Sequence, residues 1–364
     1  MDAWHFSREQ FAEFILTGMK NQLLERVTLF APRKSGKTQF ITKDIQPLCA
    51  NKKLLSVYID FWKDKANPEA VFIEAVILAI ESNKNWFKKG IESLGLNAEL
   101  GLTGIKLGLV SKNKNSQVEL TLSGAYQLLD NCSVDVVLLL DEVQHLATDT
   151  KFENFTASLR SFMANRADSK IKGVFTGSSQ EGLSRLFKKT NAPFYDSSQK
   201  LDFSPLGDEF VKFELSVFKK VTGGGELNFN EAKKIFAAQY FSPGRFVGLL
   251  KQMALNQVHD LLQGQRLFEV EFLEAENQEF NSVLTELSDL DIYLLANIAK
   301  GEAVGLYGSE FSQKASSRLA KKVNKTSIQN SILKLSDNGL IYSFERGVWK
   351  IDDPAFANYV SLLV

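Results

Sequence analysis

Residues Ala31-Pro-Arg-Lys-Ser-Gly-Lys-Thr38 follow directly on the apolar run Arg26-Val-Thr-Leu-Phe30. A short strand, a tight loop and Gly-Lys-Thr opening a helix make a phosphate-binding loop. In such a loop successive backbone N–H groups cradle a phosphate. The candidate nucleotide-binding residues are therefore Pro32, Arg33, Lys34, Ser35, Gly36, Lys37, Thr38 and Gln39. Lys37 is placed to reach β- and γ-phosphate oxygens, and the Thr38 hydroxyl to ligate Mg²⁺. The helix starting near Gly36 adds its positive end. Ala31 stands where the signature usually has its first glycine; alanine is the smallest replacement, tolerable where no positive φ is required.

Val134-Asp-Val-Val-Leu-Leu-Leu140 ends in Asp141-Glu142. A Val- and Leu-rich run suits a parallel strand buried on both faces. Carboxylates at its carboxyl end sit where open α/β sheets bind ligands. Asp141 is the candidate Mg²⁺ residue with Thr38, and Glu142 the candidate catalytic residue that orients an attacking water. Singly, a Lys-Thr helix start or an acidic loop after a strand is ordinary. Together, their order and strand contexts point to one nucleotide site.

The chain has 364 residues, enough for two or three domains. Its 43 basic and 43 acidic residues balance, so any contact with nucleic acid or membrane must be local. Cys49 and Cys132 show no pairing or metal spacing and read as reduced buried thiols. His5, His145 and His259 are too scattered for a zinc site. No apolar stretch is long enough to span a bilayer, and no signal-peptide core accompanies Trp4 and Phe6. The expectation is a cytoplasmic protein with no membrane partner.

Around these two motifs, strands and helices alternate. Ser7 to Leu24 has helical spacing, Leu54 to Phe61 reads as a strand, and Asn67-Pro68 opens a helix with N-cap chemistry. Leu94 to Leu122, Gly-rich with alternating apolar residues, reads as an inserted β-hairpin. Lys151 to Asn165 is helical. Lys170 to Phe175 is a strand ending in Thr176-Gly-Ser-Ser179, whose Ser178 is a candidate for contact with the γ-phosphate or the lytic water. Lys200 to Phe203 reads as a last strand. The pattern predicts a parallel sheet in residues 1–205. Residues 206–280 read as a helical lid, in which Ser242-Pro-Gly-Arg245 offers an arginine to the γ-phosphate.

Residues 281–364 change character. Asp289 to Ala299, Lys314 to Asn324 and Thr326 to Asn338 read as three helices, the third capped by Thr326 or Ser327. Gly339 to Phe344 and Val348 to Ile351 flank Glu345-Arg-Gly347 as a hairpin. Three helices and a hairpin predict a winged helix, the third helix showing Lys325, Ser327, Asn330 and Lys334 outward. Lys314, Arg318, Lys321, Lys322 and Lys325, with no acidic residue among them, are the candidate contacts to DNA phosphates or to a protein partner. The competing expectation is that this basic face packs on the parallel-sheet core.

The whole chain resembles the archaeal-type ATPases of the STAND branch of AAA+ P-loop proteins. Phe6-Ser-Arg-Glu9 is similar to the family's start. Ala31 to Thr38 is close to its G-P-R-R-x-G-K-T, and Leu140-Asp-Glu-Val-Gln-His-Leu146 looks like its D-E-x-Q motif. Thr176-Gly-Ser-Ser179 with Leu183 to Tyr195 is similar to its sensor-one strand and following helix, and Asp352-Asp-Pro-Ala-Phe356 to the D-P-x-F after its winged helix. The resemblance implies an ATP- and Mg²⁺-dependent molecular switch, homo-oligomeric in the ATP state, with an α/β P-loop core, a lid and a winged helix. The alternative it leaves open is a nucleotide-dependent DNA-binding or scaffold protein with little turnover. Two positions depart from the family. Asp196-Ser197 replaces the Gly-Arg that offers an arginine to a neighbouring subunit, so isolated subunits are expected to hydrolyse slowly unless Arg160, Arg166 or Arg185 substitutes. Ser242 to Phe246 replaces the lid's G-G-x-P and is nearer to the sensor-two arginine of other AAA+ proteins.

Overall fold

The computed structural model describes residues 2–31, 34–93, 96–97, 109–111, 117–118, 120–164, 170–178, 183, 186–187, 194, 198–302, 305–345 and 348–363. Helix α1 (Glu9–Lys20) precedes strand β1 (Arg26–Phe30). After the phosphate loop come α2 (Lys37–Gln39), a wider π-helical turn (Phe40–Ile45) and α3 (Gln46–Asn51), continuous with one another. Strand β2 (Leu55–Asp60), α4 (Pro68–Ser82) and α5 (Lys84–Ser93) follow. Strands β3 (Leu96–Asn97), β4 (Leu109–Ser111) and β5 (Gln117–Val118) form a small antiparallel sheet of their own. The core resumes with α6 (Leu122–Asp130), β6 (Val136–Asp141), α7 (Glu153–Ala164), β7 (Ile171–Gly177) and β8 (Gln199–Asp202).

The main sheet is wholly parallel, in the order β2-β6-β7-β1-β8. Every residue of β6 and β7 is buried, as near-continuous apolar runs require between two helical layers. Side chains alternate across it. Val136, Leu138 and Leu140 join α4, α6 and α7 on one face. Val137 and Leu139 join α1, Phe40, Ile41 and Ile45 on the other. The register aligns the carboxyl ends: Asp60 faces Asp141, Leu140 faces Phe175, and Leu29 faces Thr176. The chemistry-bearing loops of β1, β6 and β7 therefore leave one edge together.

The insert differs from the expected hairpin. β4 and β5 do pair antiparallel, but β3 adds a third strand. Leu122 starts α6 instead, because the Thr121 hydroxyl accepts from the Gly124 N–H and caps that helix. The rest of 94–119 lies outside the described residues.

Helices α8 (Asp208–Thr222), α9 (Phe229–Ala238) and α10 (Pro243–Leu255) pack around Phe210, Phe236 and Phe246. Phe6 from the N-terminal segment stacks edge-on against Phe210 and Phe213. Helix α11 (Leu261–Thr285) runs unbroken for 25 residues, so position 280 falls inside it. Helices α12 (Asp289–Ala299), α13 (Ser309–Leu319) and α14 (Lys325–Asp337), the hairpin β9 (Ile341–Glu345) and β10 (Val348–Ile351), and α15 (Pro354–Ser361) share a further apolar cluster.

Here the structure corrects two expectations. The basic helix stops at Leu319, where Ala320 turns left-handed, so Lys321 and Lys322 lie in the connection. The cap of α14 is Asn324, whose side chain accepts from Ser327 N–H, rather than Thr326 or Ser327.

Candidate functional site

A cavity of about 700 Å³ opens at the carboxyl edge of the sheet, between the phosphate loop, the N-terminal segment and α10. Lys34, Ser35, Gly36, Lys37, Thr38 and Gln39 line it, as do Glu142 and Arg245. Gly36 sits at φ +90, the left-handed turn that only glycine makes freely, and launches the helix at Lys37. The Lys37 ammonium is buried and donates to the Ala31 carbonyl at 2.6 Å. Pro32 and Arg33 lie outside the described residues.

Asp141 joins the two sequence motifs. Its Oδ2 accepts from the Thr38 hydroxyl at 2.7 Å and from the Tyr58 hydroxyl at 3.2 Å. Its Oδ1 accepts from the Thr176 hydroxyl and from the Glu142 N–H at 3.1 Å. The carboxylate is 1% exposed, so these donors from β2, β7 and the phosphate-loop helix replace its water shell. Burial of the Tyr58 phenol and, after it, the negative charge of Asp141 raise that phenol well above its ordinary range.

Glu142 takes a left-handed φ of 53 directly after the strand. The turn sends Val143 and Leu146 into the core while Glu142 lines the cavity. Its Oε2 accepts from Gln144 Nε2 and, at 3.1 Å, from Ser178 Oγ. Gln144 also approaches Ser178 Oγ at 3.3 Å. Gly177 leaves room for this: a Cβ there would run into the Gln144 side chain. The sensor-like serine is thus brought to Glu142, beside the strand that carries the phosphate loop.

Arg245, in the first turn of α10, faces the cavity, but its guanidinium is engaged by Glu276 of α11, with NH2 at 2.5 and 2.6 Å from the two carboxylate oxygens. Lys34 turns the same way, its Nζ 2.9 Å from Glu276 Oε1. Of the arginines considered for a neighbouring subunit, Arg160 is exposed on α7; Arg166, Arg185, Asp196 and Ser197 lie outside the described residues.

Several contributors carry no local sequence signal. Gln144 matches the Gln of the D-E-x-Q motif, but nothing local assigns it a partner. Tyr58 and Glu276 reach the site only through tertiary contact. Asp44, on the π-helical turn, is buried and anchors the N-terminal segment: His5 Nε2 lies 2.8 Å from its Oδ1, Ser7 Oγ donates at 2.7 Å and Arg8 N–H at 3.2 Å. That anchor places Trp4 and Phe6 on the cavity wall with Leu206, Phe210 and Val247.

Away from the cavity, Cys49 and Cys132 are free and buried, and burial pushes the Cys49 thiol up to about 12. His145 Nε2 lies 2.7 Å from the Lys65 carbonyl. Among the described residues, no three His, Cys, Asp or Glu gather as a metal cluster and no helix is long and apolar enough to cross a membrane. Lys314, Arg318, Lys321, Lys322 and Lys325 are all exposed and are not packed on the core here. Lys314 pairs with Glu310 at 2.9 Å and Lys321 with Asp289 at 3.7 Å. Lys334 is exposed, and its ammonium binds the buried Asp291 at 2.9 Å.

No protein-family model and no curated protein matches the chain. Solved structures do. The Walker-type ATPase PABY2304 of Pyrococcus abyssi is 17% identical over 98% of this chain and 96% of its own, with a TM-score of 0.66. The ORC2 protein of Aeropyrum pernix is 14% identical in its ADP form, over 98% and 92%, with a TM-score of 0.53. In complexes with ADPNP and ADP the same protein gives 12% identity, over 98% and 93%, with a TM-score of 0.52. With the parallel sheet in the order above, this is an α/β P-loop NTPase fold.

Proposed function

We propose that the protein binds Mg-ATP at this cavity and hydrolyses it, as a molecular switch that couples nucleotide state to its C-terminal helices and hairpin. The observation that carries this reading is the hydrogen bond from Thr38 to Asp141, 103 residues apart, which unites the phosphate loop with the acidic strand end. Backbone N–H groups of the loop and Lys37 hold the phosphates; the N-terminus of α10, which opens at Ser242-Pro243, adds positive potential. Trp4, Phe6 and Phe210 offer an apolar wall for a base. A hydroxyl beside a buried carboxylate suits Mg²⁺, so Thr38 and Asp141 would hold the ion. The ion would supply charge neutralisation at the phosphates. Glu142 orients the attacking water and accepts its proton, while Gln144 and Ser178 fix the carboxylate. The likeness to the Walker-type ATPase and to the nucleotide-bound ORC2 protein supports the reading. The further family features, a STAND-type switch with a winged helix, homo-oligomers in the ATP state and slow turnover by lone subunits, belong to the same proposal.

Calorimetry and turnover test it. Lys37→Ala is expected to abolish ATP binding or weaken it severely. Glu142→Gln is expected to retain binding while hydrolysis drops roughly a hundredfold or more. Unchanged ATP affinity in the first variant, or wild-type turnover in the second, would refute the assignment.

A second reading, weak contact with DNA phosphates, is favoured by one observation. Arg318, Lys322 and Lys325 cluster in sequence at the α13–α14 connection, are exposed, and make no ion pair among the described residues.

A further inference from the structure

Four elements distant in sequence are linked through Glu276 and Lys34. Glu276 lies in α11 with its side chain 4% exposed, between Arg245 of α10 and Lys34 of the phosphate loop. Lys34 adopts a left-handed φ of 62, and its Nζ also lies 3.5 Å from Asp353 Oδ2. Asp353 caps α15: its Oδ1 accepts from the N–H groups of Ala355 at 2.8 Å and Phe356 at 3.4 Å. One turn beyond Glu276, Phe280 packs on Phe356 of α15 at 5.1 Å.

Lys34 and Arg245 both line the cavity that holds Lys37 and Thr38. A cation pair at a phosphate site is expected to face the ligand; here both cations face an internal carboxylate. A buried, doubly hydrogen-bonded Arg–carboxylate contact is among the stronger polar contacts a protein makes, and a fully charged phosphate is the kind of group that can replace it. Resting on the nucleotide reading above, we propose that Glu276 is a built-in competitor of the γ-phosphate. With no third phosphate, Glu276 holds Arg245 and Lys34, and Lys34 holds Asp353, so α10, α11 and the start of α15 are latched to the phosphate loop. A γ-phosphate takes the two cations. Glu276 is then left without partners, α11 shifts, and the contact between Lys34 and Asp353 opens. Glu276 and Asp353 are positioning residues in this scheme, since neither touches the reacting atoms.

The consequence is a bias toward ADP. A latch closed in nine molecules out of ten reduces apparent affinity for the triphosphate about tenfold and leaves ADP untouched. Calorimetric titration of the full chain with ADP and with the non-hydrolysable analogue AMPPNP, in the presence of Mg²⁺, reads the ratio. Glu276→Gln keeps size and one acceptor but removes the charge. It is expected to tighten AMPPNP about tenfold while ADP stays within about twofold. An equal change for both nucleotides, or no change, overturns the latch and leaves the nucleotide site standing. Absence of any binding by wild type and variant would sink both.

Hydrogen exchange on the wild type keeps the test open if Glu276→Gln fails to fold. AMPPNP is expected to speed exchange of the amides over 354–361 relative to ADP. Identical exchange with the two nucleotides overturns the proposal. Asp353→Asn can keep the Oδ1 cap while losing the charge toward Lys34. Its exchange over 354–361 is expected to be fast with either nucleotide. Wild-type behaviour in that variant would show that the link to α15 runs elsewhere.

Discussion

Thr176→Val and Thr156→Val remove the same hydroxyl from two fully buried threonines, yet their costs are expected to differ. Both residues are 0% exposed. Thr156 Oγ1 donates to the Phe152 carbonyl at 2.7 Å, a neutral bond to the turn that leads into α7. Thr176 Oγ1 donates to the Asp141 carboxylate. A neutral hydrogen bond contributes about 0.5–1.5 kcal/mol net, one to a charged group about 1.5–3 kcal/mol. Water does not readily replace the lost donor, because Asp141 is 1% exposed. Three donors remain on it: Thr38, Tyr58 and the Glu142 N–H. The expected losses are about 2–3 kcal/mol for Thr176→Val and about 1 kcal/mol for Thr156→Val. At roughly 2 °C per kcal/mol for a chain of this size, Tm falls by about 4–6 °C and about 2 °C. Scanning calorimetry without nucleotide measures both. A Thr156→Val loss equal to or larger than that of Thr176→Val would refute the view that Asp141 is a buried charge held by strand hydroxyls. Tyr58→Phe on the other carboxylate oxygen extends the test: combined with Thr176→Val it is expected to be non-additive by about 0.5 kcal/mol or more.

Glu214, fully buried in α8, has no hydrogen-bond partner for either oxygen among the described residues, and burial pushes its carboxyl up from 4.5 to about 8. The folded protein therefore holds this proton more tightly than the unfolded chain. Its stabilising effect is full below pH 4.5 and is lost as pH rises through 8. Up to about 5 kcal/mol is at stake, so Glu214→Gln is expected to flatten the fall of Tm between pH 5.5 and 8.5; an unchanged pH profile would refute this. For the basic connection, about four phosphate contacts predict a log–log salt slope near −3.6 on duplex DNA. Lys321→Glu with Lys322→Glu is expected to halve that slope and weaken every sequence alike. No duplex binding by the wild type at low salt, or a slope unmoved by the reversal, would point to a protein partner instead.

Much of this molecule was legible in short stretches of sequence. The phosphate loop, the apolar runs that became β6 and β7, and the change to helices after residue 206 are local: a strand buried on both faces must be apolar throughout, and a left-handed turn before a helix calls for glycine at Gly36. Asp141 and Glu142 followed from where such a strand ends. Element ends were less legible, since caps decide them. Asn324 rather than Thr326 starts α14, and the left-handed Ala320 ends α13 before Lys321. Periodicity does not register a single residue's backbone turn.

What only the tertiary structure decided is which charged and polar groups meet. Arg245 could be read from its turn as a cavity-facing arginine, but nothing in its neighbourhood named Glu276, 31 residues on, as its partner. Lys34 lies in the loop signature, yet its ammonium is bound 242 residues away. The donors to Asp141 come from three separate elements, and Asp44 holds the N-terminal segment across 36 to 39 residues. Hydrophobic pattern determines which face of an element is buried, because burial depends on each residue's own apolar area. A hydrogen bond or ion pair depends on the distance between two groups, and that distance exists only once the elements have packed.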